Sequence, residues 1–171
     1  MRKFLGVMCV IIAASYLSCS SSQQQSGSSN KAQRIKDGPG EIVLGQGTII
    51  AKGNFKAYKK EGKWVQTYVD TRSIQGEGEY KNDQQHGKWK FYHKNGKLFS
   101  EGDFVEGQRT GEWVQYYNTG EKEAEFNYAI TTIAIEGIGE TLHEKIGALN
   151  GMKRFYHKDG KVKREEKYAA G

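Results

Sequence analysis

The chain has 171 residues, of which 22 are glycine, one is proline and 12% are aromatic, and its formal net charge is +6. This length predicts one domain, and the glycine content argues against a mostly helical protein, because each interior glycine costs a helix about 1 kcal/mol. The pI of about 9.2 does not indicate a nucleic-acid partner, because basic residues alternate with acidic ones, as in KVKREEK, and form no stripe of one sign.

The N-terminus carries the pattern of an export signal. A short basic start, MRK, precedes an uncharged and mostly apolar run from Phe4 to Leu17, which is shorter than the ~20 residues of a membrane-spanning helix. Both cysteines lie within the first 19 residues, and the stretch SYLSCSSSQQQ around Cys19 resembles the processing site of bacterial lipoproteins, although Tyr16 stands where that family usually has leucine. The alternative is an ordinary secretory signal with an incidental cysteine.

This reading divides the chain into three parts. We expect a lipoprotein signal peptide over 1–18, a flexible tether rich in Ser, Gln and Gly over 19–40, and a folded domain over 41–171. The resemblance implies acyl chains on Cys19 and therefore a lipid-anchored protein of the cell envelope. Ser20 rather than aspartate follows Cys19, which by the same resemblance implies the outer membrane, on its periplasmic face or at the cell surface.

The folded domain repeats one phrase. Trp64, Trp89 and Trp113 each end a Gly-x-Trp motif and lie 25 and 24 residues apart. Lys153 stands at the fourth tryptophan position, after a longer interval. A repeat of this length predicts one supersecondary unit that buries its apolar face against its neighbours.

Each unit reads as two extended segments around a turn. Asn95-Gly96 and Asp159-Gly160 predict two-residue hairpin turns of type I′. In the first unit we expect a three-residue loop at 70–72. Counting back from the turns, the predicted cross-strand pairs are Trp64 with Gly78, Trp89 with Gly102, Trp113 with Phe126, and Lys153 with Glu166. We expect each indole to cover the glycine that it pairs with on the following strand.

The second segments place small and aromatic residues on one face and acidic residues on the other, which is typical of half-buried antiparallel strands. We therefore expect an all-β fold, an elongated antiparallel meander of repeated hairpins. The pattern Gly-x-Trp-x-x-Tyr, Asn-Gly, Gly-Asp-Phe and GQRTG resembles the MORN-variant repeat of bacteria over about residues 45–171. That resemblance implies no fixed catalytic residue. Some bacterial proteins with these repeats are labelled antitoxins, and related eukaryotic repeats are associated with membranes and protein scaffolding.

An insertion at about 129–150 interrupts the regular spacing by 16 residues. It is the most apolar part of the predicted mature chain and contains Ile133, Ile135 and Ile138. We expect its start to prolong the strand of Phe126, and Leu142 and Ile146 to share one turn of a short helix. It either folds back to cap the thin sheet or binds a partner, since insertions into repeat arrays map to one face.

No constellation for catalysis stands out. His93 and His157 occupy equivalent positions, which favours a structural role, and neither a zinc-binding spacing nor a nucleophile motif occurs. We therefore expect no catalytic residue, no metal and no cofactor. Tyr92, Tyr116 and Tyr156 also share one position of the repeat; they either pack across strands or contact a partner or a sugar polymer.

The function that follows is a non-enzymatic envelope lipoprotein that presents a repeat sheet as a protein-binding or scaffold module. Its partners are the membrane, through the N-terminal lipid, and an envelope protein, but not nucleic acid. One alternative is an antitoxin-like neutraliser of a partner protein. Another is an envelope hydrolase with a site near His143 and Glu144 in the insertion.

Overall fold

A computed structural model of the chain describes residues 36–136 and 141–169. Eleven antiparallel strands form one sheet, which confirms the predicted all-β meander of hairpins. The strands are β1 (Gly38–Leu44), β2 (Ile49–Lys56), β3 (Lys59–Tyr68), β4 (Ile74–Lys81), β5 (Gln84–Tyr92), β6 (Leu98–Val105), β7 (Gln108–Tyr116), β8 (Lys122–Glu136), β9 (Thr141–Leu149), β10 (Gly151–Tyr156) and β11 (Val162–Tyr168). Within the described ranges no helix has the length and apolar character needed to cross a membrane.

The strands follow one another across the sheet in chain order, with one exception. β10 rather than β9 lies between β8 and β11, and β9 pairs with β8 outside that main order. The core is a row of aromatic and small side chains along one face: Ala51, Trp64, Tyr80, Trp89, Phe104, Trp113, Ala124 and Phe126.

The predicted backbone pairing of the tryptophan positions is confirmed, but the predicted position of the indole rings is wrong. Trp64 pairs with Gly78 and Trp89 with Gly102, as expected. Each indole nevertheless lies over the glycine of the preceding strand, where an added Cβ would come within 2.3 Å of the ring. The covered glycines are Gly53 under Trp64, Gly78 under Trp89, and Gly102 under Trp113.

A β-bulge explains this direction. The glycine of each Gly-x-Trp motif has a left-handed backbone, with φ of +64° at Gly87 and Gly111. Glycine adopts this conformation without steric cost. The pairing shifts register there, beside the covered glycine. The indole N–H donates to the carbonyl of the residue that follows the covered glycine: Trp64 to Asn54 at 3.2 Å, Trp89 to Glu79 at 3.0 Å, and Trp113 to Asp103 at 3.3 Å. The buried indole N–H is therefore satisfied.

The turns within the units differ from the prediction. Gly96 has the expected positive φ of +82°, but Asn95 does not have a positive φ, so the type I′ assignment is wrong. His93 N–H donates to the Lys97 carbonyl, and Gly96 N–H donates to the His93 carbonyl, which makes a three-residue loop. Gly160 is in the equivalent loop, also with φ of +82°. A register shift after Phe91 restores the predicted pairing in the rest of the hairpin.

Two-residue turns with two left-handed residues occur instead between the units. They are Ala57-Tyr58, Asn82-Asp83 and Glu106-Gly107. The second and third of these turns lie against the start of the strand that follows the preceding turn: Asp83 N–H donates to the Lys60 carbonyl and Gly107 N–H to the Gln85 carbonyl. These inter-unit turns therefore stack along one edge of the array.

The fourth tryptophan position shows why a lysine can replace the indole. The predicted pair of Lys153 with Glu166 is confirmed, and so is the pair of Trp113 with Phe126. Phe126 stands where earlier units have the covered glycine, so its own ring fills the space that an indole would need. The Lys153 ammonium lies 5.2 Å from the centroid of that ring, as a cation–π contact.

Candidate partner-binding surfaces

The three tyrosines predicted as a row are held by carboxylates on one face of the sheet, which we call the tyrosine face. The Tyr92 hydroxyl donates to Glu77 Oε1 at 2.5 Å and the Tyr116 hydroxyl to Glu101 Oε1 at 3.3 Å. Tyr156 donates in the same way to Glu125. Since each hydroxyl already has an acceptor within the sheet, this arrangement favours the packing interpretation of the row.

Burial and the neighbouring carboxylates hold these phenols in the neutral state. Desolvation, followed by the hydrogen bond to Glu77, raises the pKa of Tyr92 to about 12. Desolvation also raises the pKa of Tyr116 and Tyr156. The hydrogen bond from Tyr156 lowers the pKa of Glu125. The sequence pattern did not reveal these acceptors, although the fifteen-residue interval from Glu77 to Tyr92 recurs from Glu101 to Tyr116.

A second set of side chains links adjacent units beside the tyrosines. Tyr68, His93 and Tyr117 occupy equivalent positions, and each hydrogen-bonds to a main-chain carbonyl of the next unit: Tyr92 at 3.4 Å, Tyr116 at 3.0 Å, and Tyr156 at 2.9 Å. His93 also packs edge to face on Phe99. These contacts agree with the structural role predicted for His93.

The insertion forms a hairpin. β8 runs to Glu136, so the predicted prolongation of the Phe126 strand is correct, whereas the predicted helical turn at Leu142 and Ile146 is wrong, because β9 covers both residues. Pairing runs without interruption from Tyr128 with Leu149 to Glu136 with Thr141. Of the predicted partner-binding isoleucines, Ile133 is half-buried and Ile135 lies in β8. Ile138 lies outside the described residues.

The base of this β8–β9 hairpin is fixed to the sheet. Gly147 N–H donates to Gln108 Oε1 at 3.1 Å, and a Cβ on Gly147 would lie 2.3 Å from the Arg109 carbonyl oxygen. Leu149 packs against the core. Gly147 thus lies against the carbonyl of Arg109, the position in the repeat that corresponds to Gln85, whose carbonyl accepts from Gly107 N–H. The hairpin therefore occupies the place of an inter-unit turn, lengthened by the insertion.

Beyond this base, both edges of the hairpin are open in the described part of the chain. β8 pairs with β7 only as far as Tyr128, and β9 pairs only with β8. Ile130 is 38% exposed, and Thr132, Glu144 and Lys145 are also exposed. The hairpin therefore offers unpaired backbone groups together with apolar side chains.

Three other kinds of chemistry were considered from the sequence: metal binding, lipidation and hydrolysis. They contain no group of three or more His, Cys, Asp or Glu side chains placed to hold a metal. Cys19, the predicted lipidation site, lies outside the described residues. Glu144 is exposed on β9.

Comparison with known proteins gives one family. The model of the MORN repeat variant matches residues 85–106, 109–129 and 149–170, and no curated protein matches the chain. The first match covers β5 and β6, the second covers β7 and the start of β8, and the third covers β10 and β11. The β8–β9 hairpin falls in the gap between the last two matches, and the unit of Trp64 has the same indole-over-glycine packing as the units of Trp89 and Trp113. Three stretches of the sheet thus match the MORN repeat variant.

Proposed function

We propose that this chain is a non-enzymatic binding module that acyl chains on Cys19 hold at the outer membrane, where it presents the β8–β9 hairpin to an envelope protein. The MORN repeats and their single repeat sheet support a binding or scaffold role. The sequence around Cys19 supports the anchor. Two or more acyl chains give stable membrane attachment where one does not.

The observation that carries the proposal is the open edge of β8. Up to Tyr128 this edge pairs with β7, and from Ala129 to Ile133 it has no strand partner among the described residues. Proteins normally protect such an edge with lysine, proline or a bulge, but the stretch of β8 along this open edge reads AITTI and has none of these. An extended segment of a partner could add to it as a further strand, with main-chain hydrogen bonds supplying affinity.

The repeat array serves this hairpin as a rigid support. Gly147 and Leu149 fix its base against β7 and the core. The three indoles of the repeat units are buried and hydrogen-bonded. A binding edge that is held in place loses less conformational entropy when a partner binds than a mobile loop would.

The anchor is tested by removing the thiol. Cys19→Ala is expected to move the protein from the detergent phase to the aqueous phase of a detergent partition, because the acyl chains have no attachment site. Cys9→Ala is the matched control, since Cys9 lies within the apolar run of the predicted signal; that variant is expected to stay in the detergent phase. Continued detergent partition of Cys19→Ala would contradict the anchor.

The binding site is tested by photo-crosslinking in cells. A photoreactive amino acid at Thr132, which is exposed on β8, is expected to give a discrete adduct with one envelope protein. The same amino acid at Lys163, exposed on the charged edge strand β11, is the control and is expected to give no such adduct. Equal adducts from both positions, or none from Thr132, would argue against the hairpin as the partner site.

A further inference from the structure

A cleft of about 540 Å³ opens at the turn end of the tyrosine face, between the first and second units, and we call it the turn-side cleft. Its volume is within the range of about 300–1,000 Å³ that is usual for small-molecule sites. Its lining includes Tyr68, Gln75, Tyr92, His93, Phe99 and Asn118. It is separate from the β8–β9 hairpin, since none of the described residues that line it belongs to β8 or β9.

Gln75 brings an unused acceptor to this cleft. Its Oε1 atom is buried and has no hydrogen-bond partner among the described residues. A buried acceptor without a donor is unfavourable, so a ligand that places a hydroxyl or an amide N–H there gains a hydrogen bond that the free protein lacks.

The aromatic side chains supply the apolar part of the lining. Phe99 is 37% exposed, and the His93 ring holds it edge to face, with ring centroids 5.0 Å apart. The Tyr92 hydroxyl is bonded to Glu77 and the His93 Nε2 to the Tyr116 carbonyl. These two side chains therefore offer the ligand mainly ring surface, which suits a ligand with both apolar and polar edges.

The cleft carries no unbalanced charge that would select an ion. Lys94, the cationic residue of the lining, is paired with Asp70 at 2.6 Å. The position of Gln75 and Phe99 in the repeat is held by Glu123 and Lys163 in the last two units. The combination of an amide and an exposed aromatic ring is thus specific to this junction between units.

We propose that the turn-side cleft binds a neutral sugar, with the sugar ring lying against Phe99 and a hydroxyl or amide N–H donating to Gln75 Oε1. A sugar ring has apolar C–H faces for the aromatic ring and donors along its rim for the acceptor. A fully apolar ligand would leave Oε1 unsatisfied, and an anion would bring a further acceptor to a site that already has one.

The test is a titration of the full chain with neutral trisaccharides of N-acetylglucosamine and of glucose, followed by saturation-transfer NMR and calorimetry. Gln75→Leu and Phe99→Leu keep the bulk but remove the acceptor and the aromatic face, and each is expected to weaken binding about fivefold or more. Lys163→Ala, at the equivalent position of the last unit, is expected to bind as the unaltered chain does. Absence of binding for both trisaccharides, or unchanged affinity in Gln75→Leu and Phe99→Leu, would overturn the proposal.

A readout on the unaltered chain covers the case in which a variant fails to fold. The side-chain amide resonances of Gln75 are expected to shift when the bound trisaccharide is added, and unchanged resonances would reject the site. Sugar binding is also expected to persist when residues 131–146 are deleted, because the described lining of the cleft includes none of them. Loss of sugar binding on that deletion would contradict the assignment to this cleft.

Discussion

Replacing Trp89 by alanine is expected to lower the free energy of unfolding by about 3–5 kcal/mol. The Trp89 side chain is 0% exposed and stacks on Phe91 with ring centroids 5.6 Å apart. Alanine would uncover Gly78, which lies under the indole, and would leave the Glu79 carbonyl without the indole N–H. Urea denaturation followed by far-ultraviolet circular dichroism measures the loss, because this signal does not depend on the tryptophan that is removed.

Lys153→Ala is the matched control, since Lys153 occupies the same position in the fourth unit. The loss there is expected to stay below about 1 kcal/mol, as for other partly exposed charged contacts. Its contacts are the rings of Phe126 and Phe155 rather than a covered glycine. Equal losses in Trp89→Ala and Lys153→Ala would show that the two positions are alike in burial, which would contradict the packing described here.

Gly78→Ala is expected to destabilise the protein by about 2–4 kcal/mol, which is unusual for the addition of one methyl group. The new Cβ would lie 2.3 Å from Trp89 Cδ2, so the indole must move and its hydrogen bond to Glu79 must lengthen. Denaturation midpoints measure the loss. Trp89→Leu in the same chain removes the clash, so the double variant is expected to lose less than the sum of the two single variants.

Glu166→Ala is the control for the glycine position. Glu166 stands on β11 where earlier units have the covered glycine, and no indole lies over it, because the covering indole comes from the following strand and β11 is the last strand of the described sheet. A change within about 0.5 kcal/mol is expected, as for most surface substitutions. Strictly additive losses in Gly78→Ala and Trp89→Leu would mean that the indole does not rest on Gly78.

The direction of the indoles could not be predicted from the sequence, although the pairing could. Trp89 is flanked by Gly78 on the preceding strand and by Gly102 on the following one, and the repeat contains both glycines at constant spacing. The choice between them depends on the bulge at Gly87, which frees the Glu79 carbonyl for the indole N–H. A bulge is a register shift of the backbone, and the alternation of side chains predicts pairing only on each side of it.

For the turns as well, the sequence predicted the location but not the conformation. Asn-Gly predicts a type I′ turn, but a three-residue loop also needs a left-handed residue near its end, and Gly96 fills that place. The Asn95 carboxamide oxygen accepts from Lys97 N–H, which stabilises the longer loop. At the opposite end of the strands, both residues of the Ala57-Tyr58 turn are left-handed although neither is a glycine. Stacking on the main chain of Lys36 compensates there, since its carbonyl accepts from Tyr58 N–H.

The sequence predicted where the two candidate surfaces lie along the chain, but not the hydrogen bonds of the tyrosine row or the strand conformation of the insertion. The tyrosine row was visible as a repeat, but its acceptors Glu77 and Glu101 looked like part of a solvated acidic face. The insertion was visible as a break in the spacing. Its predicted helical turn depended on the four-residue interval between Leu142 and Ile146, and such a short signal cannot outweigh pairing with the β-branched strand that precedes it.

The central claim is that the β8–β9 hairpin binds the partner while the repeats only support it. Deletion of residues 131–146 tests it, because this joins Ile130 to Gly147, which lie opposite each other in the hairpin. The pair Ala129–Ala148 would then flank a two-residue turn, as Val105–Gln108 flanks Glu106-Gly107. Adding Ile130→Asn makes that turn Asn-Gly, which suits two left-handed residues.

The most direct measurement is co-purification, from the native envelope, of the protein that Thr132 captures, compared between the full chain and this deletion variant. The account predicts that the variant keeps its cooperative unfolding and its β-sheet circular dichroism spectrum but no longer retains that protein. Retention at the level of the full chain would contradict the claim and move the partner site elsewhere on the sheet. Loss of cooperative unfolding would contradict it as well, because the hairpin would then be a structural cap of the sheet.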